Sequence, residues 1–241
     1  MKKDRIFAKK MDKIHNFSFG EKTAEVFDDM LSRSVPLYYE LQRMIVELTA
    51  GFAKDGTNIY DLGCSTGNTL LSLDKKIDRK VKFIGIDYSV PLLNKCKKRF
   101  KRFNFKHSYE LICTDLNEPI KITNASVVIM NLTLQFIRPS KRDNLIKSIY
   151  NGLNHRGCFI LVEKILNNCP IFDRIFVQFY HDMKRKNGYS ELEIIQKDKA
   201  LKKILKPYSL NKNKQLLLRK GFYYFDIFFK WYNFCGMVAI K

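Results

Sequence analysis

Acidic residues are scarce in this chain: 24 Asp and Glu face 44 Lys and Arg, for a formal net charge of +20. Histidine is scarce too, with four in 241 residues and no His-x-x-x-His pair. The six cysteines, Cys64, Cys96, Cys113, Cys158, Cys169 and Cys235, form no Cys-x-x-Cys pair. These absences remove the usual ligand spacings of a zinc site, and no metal is expected. No apolar run approaches the roughly 18 residues of a membrane span. The opening Met1-Lys2-Lys3-Asp4-Arg5 leads into no apolar segment, so no secretory signal is expected. The cysteines then read as free thiols in a reducing compartment, and the protein as soluble and cytoplasmic, with no membrane partner. Eleven glycines and six prolines exclude collagen-like and low-complexity chains.

What is present is an ordinary globular composition, 46% apolar and 28% charged. A chain of this length buries about 70–75% of its unfolded surface and needs neither disulfides nor metal to fold. The positive surplus has two readings. A basic excess of this size marks nucleic-acid binding in many proteins. Yet 32 of the basic residues are Lys and 12 are Arg, alongside 23 Ile and 17 Asn. That mixture also follows from an AT-rich coding sequence, and Arg, the bidentate phosphate ligand, is not the enriched residue. Direct RNA binding is therefore not expected.

Apolar residues recur at helical spacing through 38–53. Residues 58–62 read as a short strand running into a glycine-bearing turn, with a helix over 67–77. A second strand over 82–87 precedes a helix over 90–102. Strands are expected at 110–114, 126–131 and 158–163, with a helix over 140–152 between the last two. Strands alternating with helices predict an α/β fold with a doubly wound, mostly parallel sheet. Residues 171–186 and 189–205 read as helices, and 222–230 and 231–240 as an antiparallel pair closing a seven-stranded sheet. Residues 1–20 read as a flexible arm. Residues 21–241 read as one domain with a helical insertion at about 168–215. A parallel sheet closed by such a pair is the pattern of class I S-adenosyl-L-methionine (SAM) methyltransferases.

The strongest motif is Tyr60-Asp61-Leu62-Gly63-Cys64-Ser65-Thr66-Gly67-Asn68, between the first strand and its helix. In a doubly wound sheet the ligand lies outside the carboxyl ends of the strands, where this turn falls. Small residues let the backbone approach a ligand closely. The spacing Gly-x-x-x-Gly lacks the extra glycine of dinucleotide binders, which suits SAM, a nucleoside without phosphate. Asp87 ends the second strand 20 residues after Gly67, where a carboxylate accepts both hydroxyls of a ribose or caps the helix that follows. Tyr88 is placed to flank the adenine. Asp115 and Leu116 follow the third strand, where this class contacts adenine. Asn131 ends the fourth strand, facing the reactive end of the cofactor, and no Asn/Asp-Pro-Pro-Tyr signature of adenine amino methyltransferases stands there.

From about Asp4 to Ile240 the chain resembles the carboxy-S-adenosyl-L-methionine synthase family. The likeness rests on Asp4-Arg5-Ile6-Phe7-Ala8, Ala24-Glu25-Val26-Phe27-Asp28-Asp29-Met30 and Ser32-Arg33-Ser34-Val35-Pro36 with Tyr38. It continues through the glycine loop, Asn131-Leu132-Thr133-Leu134-Gln135-Phe136 and Glu163-Lys164. Most distinctive are His181-Asp182, Lys184-Arg185 and Asn187-Gly188-Tyr189-Ser190-Glu191-Leu192-Glu193-Ile194.

The resemblance implies that SAM and prephenate are joined into carboxy-SAM, with release of phenylpyruvate and water. The product then serves a separate tRNA carboxymethyltransferase in wobble-uridine (uridine-5-oxyacetic acid) modification, and the family suggests a homodimer. No side-chain base is expected, because a sulfonium methyl is far too weak an acid even for a lysine of pKa near 10.4. Hydroxide expelled from prephenate takes the methyl proton instead, and the catalytic residues stay unknown. By this resemblance Tyr38, Gly63, Cys64, Ser65, Asp87, Tyr88, Asp115, Leu116 and Asn131 hold the cofactor. One position departs: the family arginine that grips the new carboxylate is Asp198 here, between Lys197 and Lys199. An acid there is expected to repel a carboxylate, so Lys199 and Arg33 are candidates for that role, with Arg185 a further anchor for a dicarboxylate. An ordinary SAM-dependent methyltransferase of RNA or a small molecule, and a non-catalytic RNA-binding subunit, are the alternatives.

Overall fold

The computed structural model describes residues 2–241. Two helices, α1 (Glu21–Ser34) and α2 (Tyr38–Phe52), lead into β1 (Asn58–Leu62), α3 (Asn68–Lys76), β2 (Lys82–Asp87) and α4 (Val90–Arg102). Then come β3 (Ser108–Cys113), β4 (Ala125–Asn131), α5 (Pro139–Gly152) and β5 (Leu153–Lys164). Helices α6 (Pro170–Lys186), α7 (Glu191–Leu201) and α8 (Leu210–Leu218) precede β6 (Tyr224–Trp231) and β7 (Phe234–Ile240). The sheet has seven strands in the order β3-β2-β1-β4-β5-β7-β6. The first five run parallel, and β7 is antiparallel to both β5 and β6. This is the expected doubly wound sheet with its closing antiparallel pair. No described helix is long and apolar enough to cross a membrane.

Alternating side chains divide the core between the two faces of the sheet. One face packs Ile59, Phe83, Val127, Ile129 and Ile160 under α2, α3 and α4. The other packs Tyr60, Ile84, Val128 and Phe159 under α5 and α8. Strand order reverses between β1 and β4, and the crevice at that switch is where ligands bind in such sheets.

Helices α1 and α8 were not expected from the sequence. Helix α7 starts later than the expected 189–205 because it begins at a capping box, and it ends at Leu201. Ser190 Oγ accepts from the Glu193 N–H, and Glu193 Oε2 accepts from the Ser190 N–H. Gly188, at φ +83°, turns the chain out of α6 just before it.

The arm is a correction: Asp4 to Phe19 are docked, not loose. Phe7 and Phe17 pack with Val26, Met30 and Ala200 in a cluster of their own. Gln196 donates to the carbonyls of Phe7 and Lys9, and its Oε1 accepts from the Met11 N–H. The Phe17 N–H donates to the Ala200 carbonyl at 3.0 Å.

Candidate active site

Register fixes which side chains meet at the carboxyl ends of the strands. Asp61 stands opposite Gly85 and Ile129, and Asn131 opposite Val162. Successive side chains alternate between faces, so Asp87 of β2, Asp61 of β1, Asn131 of β4 and Lys164 of β5 share one face. All four line a single cavity of about 800 Å³. Sheet order therefore grades this row from two acids, through an amide, to an ammonium.

The loop after β1 is held in a form that only small residues allow. A Cβ on Gly63, at φ +86°, would lie 2.3 Å from Thr133 Oγ1. Ser65 and Leu132, both facing the cavity, also have positive φ. A non-glycine residue there costs about 1–2 kcal/mol, which the surroundings must hold in place. Asp28 of α1 supplies part of that hold. It accepts from Thr66 Oγ1 at 2.7 Å and pairs with Lys95 and Arg99 of α4 at 3.0 and 3.2 Å. Lys95 and Arg99 of α4 thus tie the loop down.

Asp87 is fixed by donors on both oxygens: the Ser65 N–H at 3.0 Å and the Ser89 N–H at 2.8 Å. It does not cap α4, because Ser89 Oγ does so by accepting from the Leu92 N–H. Burial raises the Asp87 pKa against these hydrogen bonds. Asp61 is fully buried, and burial, helped by the Asp87 charge, pushes its carboxyl up to about 7. Tyr38 Oη accepts from Asn68 Nδ2 at 2.9 Å, at the end of α2 that faces the loop.

The nucleoside end is aromatic. Phe19 of the arm meets Tyr88 and Phe136 edge-to-face, with centroids 6.1 and 5.3 Å away. Asp115 and Leu116 line the same end. The Asp115 carboxylate accepts from the backbone and side-chain nitrogens of Asn117. Three buried amide oxygens that line the cavity, Gln42 Oε1, Asn131 Oδ1 and Asn233 Oδ1, have no donor among the described residues. Asn131 Oδ1 continues Asp87 and Asp61 as an acceptor-rich wall along the carboxyl ends of the strands. SAM presents what that wall lacks: ribose hydroxyls and two cationic centres. The residues fit the cofactor.

All nine expected cofactor residues, Tyr38, Gly63, Cys64, Ser65, Asp87, Tyr88, Asp115, Leu116 and Asn131, line this cavity, and Lys199 lines it from an exposed position on α7. Arg33 does not. Its guanidinium is taken up by Asp29 at 2.7 Å and the Asp4 carbonyl at 2.7 Å, over the Tyr189 ring. It anchors the arm. Arg185 is likewise spent, on Asp182 and Glu191 at the surface. Asp198 also differs from expectation. His181 Nε2 donates to it at 2.6 Å, and Lys184 Nζ lies 3.3 Å away. Burial raises its pKa, but these partners outweigh it and hold the carboxyl down at about 2. Its charge is matched, so it does not stand as bare repulsion.

Phe19, Gln42, Asn117, Phe136, Asp61 and Lys164 are site residues the sequence reading did not select. Asp61 and Lys164 had a signal, each sitting at the carboxyl end of a parallel strand. Phe19 had none, lying in a segment without periodicity. Replacing Asp87 with Ala is expected to weaken SAM binding about ten- to hundredfold, the loss for charge-assisted hydrogen bonds. Calorimetry giving unchanged affinity would remove Asp87 from the ribose position.

A methyltransferase-domain family model matches residues 59–157, which hold β1 to β4 and the loop. Among solved structures, the human N-acetylserotonin methyltransferase in complex with SAM aligns at TM-score 0.59 and 14% identity, over 91% of this chain and 55% of that one. An O-methyltransferase family protein from Burkholderia thailandensis aligns at TM-score 0.62 and 12% identity, over 91% and 60%. At those identities the likeness shows the fold alone. Two full-length relatives carry more. One from Methylococcus capsulatus is 48% identical over 100% of both chains, and one from Desulforapulum autotrophicum is 43% identical over 100% of this chain and 98% of that one. Both bear the name carboxy-S-adenosyl-L-methionine synthase. End-to-end identity at that level, over a cavity that suits SAM, makes this chain a transferase of the carboxy-S-adenosyl-L-methionine synthase family.

Proposed function

We propose that the protein converts SAM and prephenate into carboxy-SAM, phenylpyruvate and water. One observation carries this beyond family membership. The same cavity has an acceptor-lined end that suits SAM and an end where Lys164, Lys199 and Lys202 outnumber Asp173 and Asp198, which suits a dicarboxylic acid. A volume near 800 Å³ leaves room for both. When bound, SAM supplies a methyl carbon that takes up CO2 after its proton leaves with the hydroxide of the aromatising acid. The protein's part is to hold the two substrates together and keep water out, so orientation does the work of a base.

Purified protein given SAM and prephenate is expected to form a product one CO2 heavier than SAM, with phenylpyruvate in equal amount. Prephenate left unconsumed, with methyl transfer to an added acceptor, would favour an ordinary methyltransferase. In the cytoplasm the product would supply a tRNA carboxymethyltransferase acting on wobble uridine.

The working unit is proposed to be a homodimer. Ile171 and Phe172 on α6 are 57% and 56% exposed, and Phe172 stacks on Phe176 at 5.9 Å. An apolar helix face of this kind is suited to a second copy. Sedimentation is expected to give twice the chain mass, and Phe172→Glu to shift it toward the monomer. A monomeric wild type would end this part of the reading.

A further inference from the structure

Three lysines converge where α6 and α7 close the cavity, and two of them are already matched. Lys197 Nζ lies 3.3 Å from Asp4 Oδ2 and donates to Ser34 Oγ. Lys184 Nζ is paired with Asp198. Lys164 has no such partner: among the described residues no carboxylate lies within ion-pair distance of its Nζ and no acceptor takes a hydrogen bond from it. What it does have is a ring, the Tyr180 centroid at 4.6 Å, which favours a cation but does not neutralise it.

The position of Lys164 is fixed by its backbone. It is the last residue of β5, its N–H donates to Gln135 Oε1 at 3.0 Å, and it pairs across the sheet with Phe234. On the shared face it follows Asn131 by one strand and Asp61 by two. Lys164 lies two strands across from Asp61 and four residues further along, so the two backbones stand on the order of 16 Å apart. Burial lowers the Lys164 pKa, and the charges of Asp198 and Asp173, beyond ion-pair distance, only partly offset it. Lys199 and Lys202 also line the cavity, but Lys199 is exposed and well solvated. A partly desolvated ammonium gains more from an arriving carboxylate than a solvated one does.

We infer that Lys164 forms the carboxylate subsite of this chain, receiving the group by which carboxy-SAM differs from SAM. The inference rests on the synthase reading above.

The test is calorimetry of SAM and carboxy-SAM on the full chain. Wild type is expected to bind carboxy-SAM the more tightly. Lys164→Met should leave SAM affinity within about threefold, yet remove about tenfold or more of the preference, the size of a charge-assisted hydrogen bond. Lys164→Arg should keep most of it, and Lys199→Met should remove less of it than Lys164→Met does. Unaltered SAM affinity in each variant doubles as evidence of folding. A preference that survives in Lys164→Met, or that Lys199→Met alone removes, overturns the inference and leaves the synthase reading standing. A wild type with no preference overturns both. A second measurement needs no substitution. Carboxy-SAM should shield Lys164 from amine acylation, read by peptide mass spectrometry, where SAM does not. Equal labelling under the two ligands counts against the subsite.

Discussion

Replacing Asp4 with alanine is expected to lower the stability of the protein by about 3–5 kcal/mol at neutral pH, the cost of breaking a buried ion pair from one side. Asp4 is 2% exposed, and its Oδ2 accepts from Tyr189 Oη at 2.7 Å and Lys197 Nζ at 3.3 Å. Its N–H donates to Asp29 Oδ2, and its carbonyl accepts from Arg33. The alanine variant keeps the backbone bonds but leaves Lys197 buried without its counter-charge. Burial already lowers the Lys197 pKa to about 8 against the pull of Asp4. Without Asp4 it falls further, so the variant relieves itself by losing the proton. Lys197 is then neutral at lower pH in the variant than in the wild type, and the deficit narrows as pH rises from 7 toward 9. Denaturant unfolding at the two pH values reads this directly. The exposed Lys2–Glu25 pair is the control: solvent screens it, and Glu25→Ala should leave stability nearly unchanged. Because Phe19 follows the same arm into the nucleoside end, Asp4→Ala should also weaken SAM binding. A deficit under about 1 kcal/mol would mean that the arm is held by its phenylalanines and not by this ion pair.

The arm also marks where the sequence stopped being legible. Strands β1, β2 and β4 announce themselves through short apolar runs, and the Gly63–Gly67 loop through its spacing. Their partners are close in sequence or repeat a known period. Asp4 reaches Lys197 and Tyr189 across more than 180 residues, and no local pattern encodes such a pairing. For the same reason Arg33 looked like a substrate ligand. An arginine at a helix end shows its charge in sequence, but not the carbonyl and ring that occupy it. Asp198 is the inverse case. Read alone it is an acid in a place that calls for a cation. Read beside Lys184 and His181, which precede it by 14 and 17 residues on another helix, it is a matched charge. Lys164 shows in sequence only as part of Glu163-Lys164, because the absence of an ion-pair partner is a property of the fold.

Affinity for SAM should rise by about twentyfold between pH 5.5 and 7.5, with Asp61 carrying most of the change. Asp61 is 2% exposed, and no described residue donates a hydrogen bond to its carboxyl. Burial and the neighbouring Asp87 charge put its pKa near 7, so the empty site holds it largely neutral in mildly acidic solution. A cationic ligand reverses that preference, since an ammonium or sulfonium in the cavity favours the carboxylate. Binding therefore releases a proton from Asp61, and linkage then requires affinity to increase with pH until the group is ionised without the ligand. Asp87, also raised, acts with the same sign. Asp61→Asn should bind SAM more weakly above pH 7 and lose most of the slope, keeping the part that belongs to Asp87. Proton release, measured by calorimetry in buffers of different ionisation enthalpy, should fall in step. Stability should move the other way. An acid whose folded pKa lies above its unfolded value of about 3.9 costs the fold progressively as pH climbs between the two. The ligand-free asparagine variant should thus be more stable than wild type at pH 8, by about 2–4 kcal/mol. A pH-independent SAM affinity in the wild type would place the cationic centres of the ligand away from β1, and Asp61 would then be a buried acid with no part in binding.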